Sequence, residues 1–268
     1  MDSVGYAVVP GDYGTEQERQ TAWDIGAGLQ AIDGAAPSQI AQVLMSQQIQ
    51  GGTSYDVVVD TLRQHYVAAR SEATAQDREV DISAARISQI LSEPSFTLSP
   101  GSLMAIHGRI FDGLLADPRW EGRYRSENIT KPEPALGGLT VDYTPWREIH
   151  RTLAWEFENA EERDPHDAVD AVNHVLQFAS AIWQVHPFRE GNTRTVAVYA
   201  IKYLRHLGVA INNEPFIRSA PYFRDALTLD NAPRALRDPQ PLRLFGRYLT
   251  GESVTLPELR GSRTSAAS

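Results

Sequence analysis

The chain has 268 residues, of which 42% are apolar and 22% charged, the composition of an ordinary folded protein. Its formal net charge of −9 opposes direct binding to nucleic-acid phosphates, and the lack of cysteine excludes disulfides and thiolate metal sites. No apolar run reaches the roughly 20 residues that cross a membrane, and the N-terminus lacks the blocks of a secretory signal. We therefore expect a cytoplasmic protein without membrane or direct nucleic-acid partners.

The N-terminal part of the chain predicts a small unit made of helices. Residues 1–15 are glycine-rich and are expected to be flexible, and residues 16–70 are expected to form three helices. The first helix is predicted to stop at Gly34, and Ser38 is suited to cap the second. In the third helix, Val57 lies in an apolar stripe with helical spacing.

Residues 71–250 predict a larger helical domain with flanking helices. Residues 119–143 interrupt the helical pattern with prolines and with the pair Gly137-Gly138, which predicts a hairpin turn. Residues 251–268 are polar and are expected to form a disordered tail. The predicted fold class is therefore all-α with one small β-hairpin.

One short stretch, "VHPFREGNTRT" at Val185–Thr195, concentrates groups that can do chemistry. A strongly apolar helix, in which Val169 begins the predicted buried stripe, precedes it, and another apolar helix follows it. Unpaired backbone N–H groups at the start of the second helix can hold a phosphate. Glu190 offers a hard oxygen ligand for Mg²⁺, and His186 can accept a proton near neutral pH. Phe188 is expected to point into the core and hold the loop.

The alternative is an ordinary turn between two buried helices. The run of acid, glycine, asparagine and arginine behind the histidine favours a site for a phosphate and a metal ion instead. Four other histidines lie in helical stretches at ordinary spacing, and we expect each to be a packed or surface residue rather than a ligand: His107, His150, His174 and His206.

The segment "HPFREGNTR" resembles the signature of the Fic family, His-x-Phe-x-(Asp/Glu)-Gly-Asn-Gly-Arg-x-x-Arg. Every position from His186 to Asn192 fits, and Arg194 fits after one mismatch. The resemblance extends over about residues 100–230 and implies a Fic-type helical bundle with a small β-hairpin flap. Most of the family transfers AMP from ATP to a Ser, Thr or Tyr hydroxyl of another protein.

The resemblance implies a role for each residue of the stretch. His186 is implied to be the general base that deprotonates the target hydroxyl, and Arg194 to stabilise the leaving pyrophosphate as the second catalytic residue. Glu190 is implied to hold Mg²⁺ between the α- and β-phosphates of ATP. The implied nucleotide-binding residues are Phe188, Arg189, Gly191, Asn192, Thr193, Arg194 and Tyr222.

The segment upstream of the signature resembles the flap of the family, which clamps the backbone of the target by strand pairing. The implied flap residues are Lys131, Leu136, Gly137, Gly138 and Leu139.

Two positions depart from the family signature. Thr193 stands where the second glycine is expected; its amide remains, and its hydroxyl could cap the next helix. Ala197 stands where the second arginine is expected, which contacts the γ-phosphate in the family and pairs with an inhibitory glutamate. The second departure bears on how the donor is oriented and on how activity is controlled.

The N-terminal helices resemble the small antitoxin partners of Fic toxins in their order. In "LQAIDG", Asp33 stands at the position of the inhibitory glutamate. The alternative is that Asp33 only ends the helix. We interpret residues 16–66 as a fused, degenerate antitoxin-like unit. On that interpretation, deleting residues 1–66 is expected to change automodification little.

The resemblance therefore implies a protein adenylyltransferase that uses ATP and Mg²⁺. Its partner would be a protein with a hydroxyl side chain, for which the family offers a topoisomerase subunit or the enzyme itself, and a homodimer is common. The alternatives are a Fic-fold phosphotransferase or other nucleotide-donor transferase, and a catalytically weakened nucleotide-binding regulatory module.

Overall fold

The computed structural model describes residues 14–69 and 73–259, and it confirms the all-helical fold class. Within these residues there is no β-strand. The helices are α1 (Glu16–Gly28), α2 (Gln39–Ile49), α3 (Tyr55–Ala69), α4 (Ala73–Ser92), α5 (Pro100–Phe111), α6 (Ile149–Glu161), α7 (Ala168–Val185), α8 (Asn192–His206), α9 (Glu214–Arg218), α10 (Ala220–Asp230) and α11 (Gln240–Leu249).

Most of the predicted flexible N-terminus, residues 1–13, and the end of the predicted tail, residues 260–268, lie outside the described residues. Among the helices that are described, none has the length and apolar character needed to span a bilayer.

In α3 and α7 the apolar stripes of the sequence bury as predicted, except at one valine in each helix. In α3 the buried positions are Val58 and Leu62, which follow helical spacing, whereas Val57 is 54% exposed because it lies on the neighbouring face. In α7, Val169 is also 54% exposed because it lies in the first turn, next to the capping residue Asp167. The remaining stripe of α7 packs against α8.

The segment predicted to form a β-hairpin is an irregular loop without strands. The Glu133 N–H donates to the Leu139 carbonyl at 2.9 Å, and a 3-10 turn over Pro134–Leu136 closes the loop. Gly137 and Gly138 have φ values of 65° and 93°, as this turn requires. Pairing stops there because the prolines of this segment have no N–H to donate.

The N-terminal helices pack against the rest of the chain rather than apart from it. Trp23 in α1 belongs to a cluster with α3 and α4, and its indole Nε1 donates to Gln48 at 2.8 Å. On the other side of α1, Ile25 and Leu29 are fully buried in the main core with α8 and α10. Helix α1 therefore stabilises both clusters, and the 3-10 turn Leu29–Asp33 that follows it reaches the start of α8.

Candidate active site at the start of helix α8

Helix α7 ends at a residue in a strained backbone conformation. His186 has φ 49° and ψ 56°, and it is the one non-glycine residue with positive φ among those described. Its backbone N–H donates to the carbonyls of Ile182 and Trp183 at 3.3 and 3.1 Å. A left-handed residue other than glycine costs roughly 1–2 kcal/mol, and such conformations concentrate at functional sites.

The hydrogen bond of the His186 ring defines its tautomer. Nδ1 lies 3.1 Å from the Trp183 carbonyl, which can only accept, so Nδ1 carries the proton. Nε2 is then left with a free lone pair. Burial, and next the nearby Lys131 ammonium, lower the pKa of His186 to about 3. The ring is therefore neutral at physiological pH, which is the form that a general base needs.

Arg125, which the sequence did not single out, holds the backbone around His186. The residue is 2% exposed, and its guanidinium donates to the carbonyls of His186 at 2.8 Å, Val185 at 3.1 Å and Thr144 at 2.5 Å. Its own N–H donates to the Pro187 carbonyl at 2.8 Å. One buried side chain thus binds the turn and the end of the flap segment together.

Phe188 anchors the loop in the core, as the sequence predicted. Its ring is fully buried and stacks on His107 with 3.9 Å between centroids. His107 Nε2 donates to the Glu190 carbonyl at 3.1 Å, while its Nδ1 accepts from the Gly122 N–H at 3.0 Å. Burial lowers the pKa of His107 to about 4, so this ring is neutral too. His107 is packed, as expected, and it also supports the loop.

Gly191 is required where the loop turns into α8. Its φ is 72°, and a Cβ there would lie 2.3 Å from the ring of Phe111. Any other residue would therefore be strained and would displace an aromatic ring of the core.

Asn192 and Thr193 use their side chains inside the protein. The Asn192 amide accepts from the Phe188 N–H at 2.9 Å and donates to the Phe188 carbonyl at 2.8 Å. The Thr193 hydroxyl accepts from the Trp183 indole at 2.9 Å, and Gly191, not Thr193, is the N-cap of α8. The predicted capping role of the Thr193 hydroxyl is therefore wrong, because its oxygen accepts a hydrogen bond from the buried Trp183 indole instead of one from the backbone of α8.

The backbone at the start of α8 offers an anion-binding cradle. Among the described residues, the first N–H of this helix that is bonded within the chain belongs to Thr195, which donates to the Gly191 carbonyl at 3.0 Å. The N–H groups of Asn192, Thr193 and Arg194 have no such partner. They open onto a cleft of about 830 Å³, where they can hold a phosphate.

Glu190 borders the same cleft and is exposed, with no ion pair in the described parts of the chain. No group of three or more metal-ligating side chains is present among the described residues. One free carboxylate beside a phosphate cradle suits Mg²⁺, because that ion commonly takes one or two carboxylates together with phosphate oxygens and water.

Arg194 is engaged by carboxylates from outside α8. Its side chain is 7% exposed, and its Nη2 lies 2.5 Å from the Glu79 carboxylate and 3.2 Å from the Asp33 carboxylate. Its Nη1 donates to the Gln30 side-chain oxygen at 3.1 Å, and its guanidinium carbon lies 4.8 Å from the centre of the Phe111 ring. The structure thus places Asp33 against the signature arginine, and it adds Glu79, which the sequence did not single out.

Every basic side chain that lines the cleft has an acidic partner. These pairs are Lys131 with Glu133, Arg189 with Glu127, Arg194 with Glu79 and Asp33, and Arg224 with Asp225. Arg189 was predicted to bind nucleotide, and its 2.6 Å contact with Glu127 competes with that role.

Tyr222 lies apart from the other predicted nucleotide-binding residues. It is 9% exposed and stacks on Phe245 in the core at 6.4 Å, and its hydroxyl does not line the cleft. Its neighbours Pro221 and Arg224 line the cleft instead, because they project from the opposite side of α10. The position of Tyr222 therefore does not support the role at the nucleotide that was predicted for it.

The flap residues divide between the cleft and the surface. Lys131 lines the cleft beside Glu133, whereas Leu136 is buried against the body of the protein. Leu139 is 56% exposed at the tip, next to Gly137 and Gly138, whose Cα atoms face open space.

Comparisons with known proteins agree with this architecture. Residues 97–204 match the Fic/DOC family. The chain is similar to the crystal structure of a Fic family protein from Desulfovibrio desulfuricans G20, with a TM-score of 0.55 and 18% sequence identity. The similarity covers 87% of this chain and 62% of that chain, and at this identity it bears on the fold alone. None of the curated proteins matches the sequence.

Proposed function

We propose that this chain, whose residues 97–204 form a domain of the Fic/DOC family, is a protein adenylyltransferase. It would move AMP from ATP to a Ser, Thr or Tyr hydroxyl of a target protein. The observation that supports this most is the state of His186, which is neutral, buried and held by Trp183 with its Nε2 lone pair free.

In the proposed reaction the target hydroxyl loses its proton to Nε2 of His186. The hydroxyl oxygen forms a bond to the α-phosphorus of ATP, the bond between that phosphorus and the α–β bridging oxygen breaks, and pyrophosphate leaves. The N–H groups of Asn192 and Thr193 stabilise the negative charge on the phosphate, because both residues line the cleft and neither N–H has a partner within the described residues.

Glu190 would hold the Mg²⁺ ion that accompanies ATP, since it is the exposed, unpaired carboxylate at the cradle. When bound, this ion would neutralise charge on the phosphates. Arg194 would stabilise the leaving pyrophosphate once Glu79 and Asp33 release its guanidinium.

Intact-mass analysis after incubation with ATP, Mg²⁺ and candidate targets tests the proposal. A gain of one AMP on a target, or on the chain itself, is the expected result. The matched variant is His186→Asn, because asparagine tolerates the left-handed backbone but cannot act as the base. We expect it to melt like the wild type and to transfer no AMP; labelling at the wild-type rate would exclude this mechanism.

A second candidate function follows from the pairing of Arg194. With this guanidinium bound by two carboxylates, and with fully buried Ala197 in place of the second arginine, the cleft favours a donor other than a triphosphate, or binding without transfer. Calorimetry with ATP, CTP, CDP-choline and AMP, followed by mass spectrometry of exposed lysate, separates these functions. Tight binding with no covalent product would favour a nucleotide-binding regulatory module.

A further inference from the structure

A second cavity of about 770 Å³ lies between α3, α4 and α5, and it shares no lining residue with the cleft at α8. Its size is within the range of sites for small molecules, about 300–1,000 Å³. Three arginines, three aspartates and apolar side chains line it, among them Arg63, Arg86, Asp56, Asp60, Asp112 and Met104.

Arg86 lies at the buried end of this cavity and is incompletely neutralised. It is 6% exposed, and its guanidinium donates to the Ile110 carbonyl and to the Asp112 carboxylate, both at 3.1 Å. No further hydrogen bond of this group is found within the described residues. Burial, and next the charge of Arg63, lower the pKa of Arg86 to about 10, while Asp112 and Glu121 act in the opposite direction.

Arg63 depends on the same carboxylate. Its Nη2 lies 2.5 Å from the Asp112 carboxylate, and its Nη1 lies 3.7 Å from the carboxylate of a second acidic neighbour, Asp60. The Asp112 side chain is 65% exposed, so the one carboxylate that Arg63 and Arg86 share stands in solvent. Arg109, by contrast, is already held by both oxygens of Glu93 at 2.6 Å.

We propose that this cavity binds the oxyanion of a small ligand, a phosphate or a carboxylate, between Arg63 and Arg86 in place of the Asp112 carboxylate. Two guanidiniums that face one position match the oxygens of either group through paired N–H donors. The rest of the ligand would lie against Ile90 and Met104. This inference does not depend on the proposed transferase activity, because no residue of the cleft at α8 takes part.

Titration of the full chain with inorganic phosphate, and separately with acetate, at constant ionic strength tests the proposal. Backbone NMR distinguishes the two sites, since Gly101, Gly108 and Gly122 border this cavity and Gly191 borders the cleft. We expect the amides of the first group to shift with one of the two anions, which also identifies the class of oxyanion. Shifts at Gly191 alone, or no binding, would overturn the proposal.

Three variants sharpen the test. Arg63→Gln should weaken binding about tenfold or more, because it removes one of the two charged donors that hold the oxyanion. Asp112→Asn should tighten it, because it removes the competing carboxylate, and this exposed change does not depend on repacking. Arg119→Gln, at a surface arginine paired with Asp117, is the control and should change nothing. Equal affinity in the wild type, Arg63→Gln and Asp112→Asn would show an adventitious ion only and refute the site.

Discussion

At the scale of single residues, Thr193 stands in place of the glycine of the family signature, and Trp183 is the residue that bonds to its hydroxyl. The hydroxyl that replaces a glycine accepts the indole hydrogen of Trp183, which is fully buried and would otherwise have no partner there. The side chain is thereby directed toward α7, and the backbone N–H stays available to an anion.

Replacing Thr193 by valine should destabilise the protein by about 1–3 kcal/mol, because it leaves a buried indole N–H unpaired in a space of the same shape. Urea unfolding followed by tryptophan fluorescence measures this. Thr193→Ser, which keeps the hydroxyl, should lose clearly less. Equal stability of the valine variant and the wild type would show that the bond contributes nothing.

The turn between two buried helices and the burial of Phe188 could be predicted, because these residues are neighbours in a short stretch and local order sets their positions. The chemical roles of His186 and Glu190 stay predictions. Arg125 could not be found in the same way. It lies about 60 positions upstream in an irregular segment, where no periodicity marks a residue whose partners are backbone carbonyls.

At the scale of elements, α8 packs against α4 and against the 3-10 turn after α1, and these two elements supply the carboxylates that pair with Arg194. The resemblance directed attention to Asp33, which does reach Arg194 at 3.2 Å, while Glu79 approaches to 2.5 Å. Glu79 lies in the first turns of α4, in a polar stretch where no apolar periodicity marks a residue that reaches a distant helix.

Replacing Glu79 by glutamine should raise the affinity for ATP with Mg²⁺ about tenfold, because it removes the charge that competes with phosphate for Arg194. Calorimetry measures the change. Glu158→Gln on the exposed face of α6 alters the net charge equally and should leave the affinity unchanged. If Glu79→Gln binds ATP no better than this control, the carboxylate does not compete with the nucleotide.

At the scale of the whole molecule, the N-terminal helices are part of the core. The sequence led us to expect that deletion of residues 1–66 leaves automodification nearly unchanged. Trp23, Ile25 and Leu29 are fully buried in two clusters, so the packing leads us to expect loss of folded protein instead. Helical periodicity shows which face of α1 is apolar, but it cannot show which distant helices cover that face.

Acid should destabilise the molecule through its buried histidines. Burial lowers the pKa of His107 to about 4 and that of His186 to about 3, below the usual value near 6.5. The unfolded chain therefore binds more protons, and the stability these rings contribute is complete above pH 6.5 and is lost as the pH falls toward 4. Each histidine contributes a slope of up to about 1.4 kcal/mol per pH unit in that range.

Urea unfolding between pH 7.5 and 4.5 measures this slope. His107→Gln should reduce it by the share of one histidine, whatever its effect on stability at pH 7.5, whereas His65→Gln on the exposed face of α3 should not. A slope that is the same in all three proteins would contradict the neutral state of His107.

The hydrogen bonds from Arg125 to the backbone carbonyls have a consequence for how the turn after α7 responds to heating. The turn after α7 acquires its shape from the folded core, through Arg125, His107 and the Asn192 side chain, and not from the nucleotide. Ordering of this turn is therefore complete before any ligand arrives. The turn should therefore keep its shape on warming and lose it only in the cooperative melting of the whole protein.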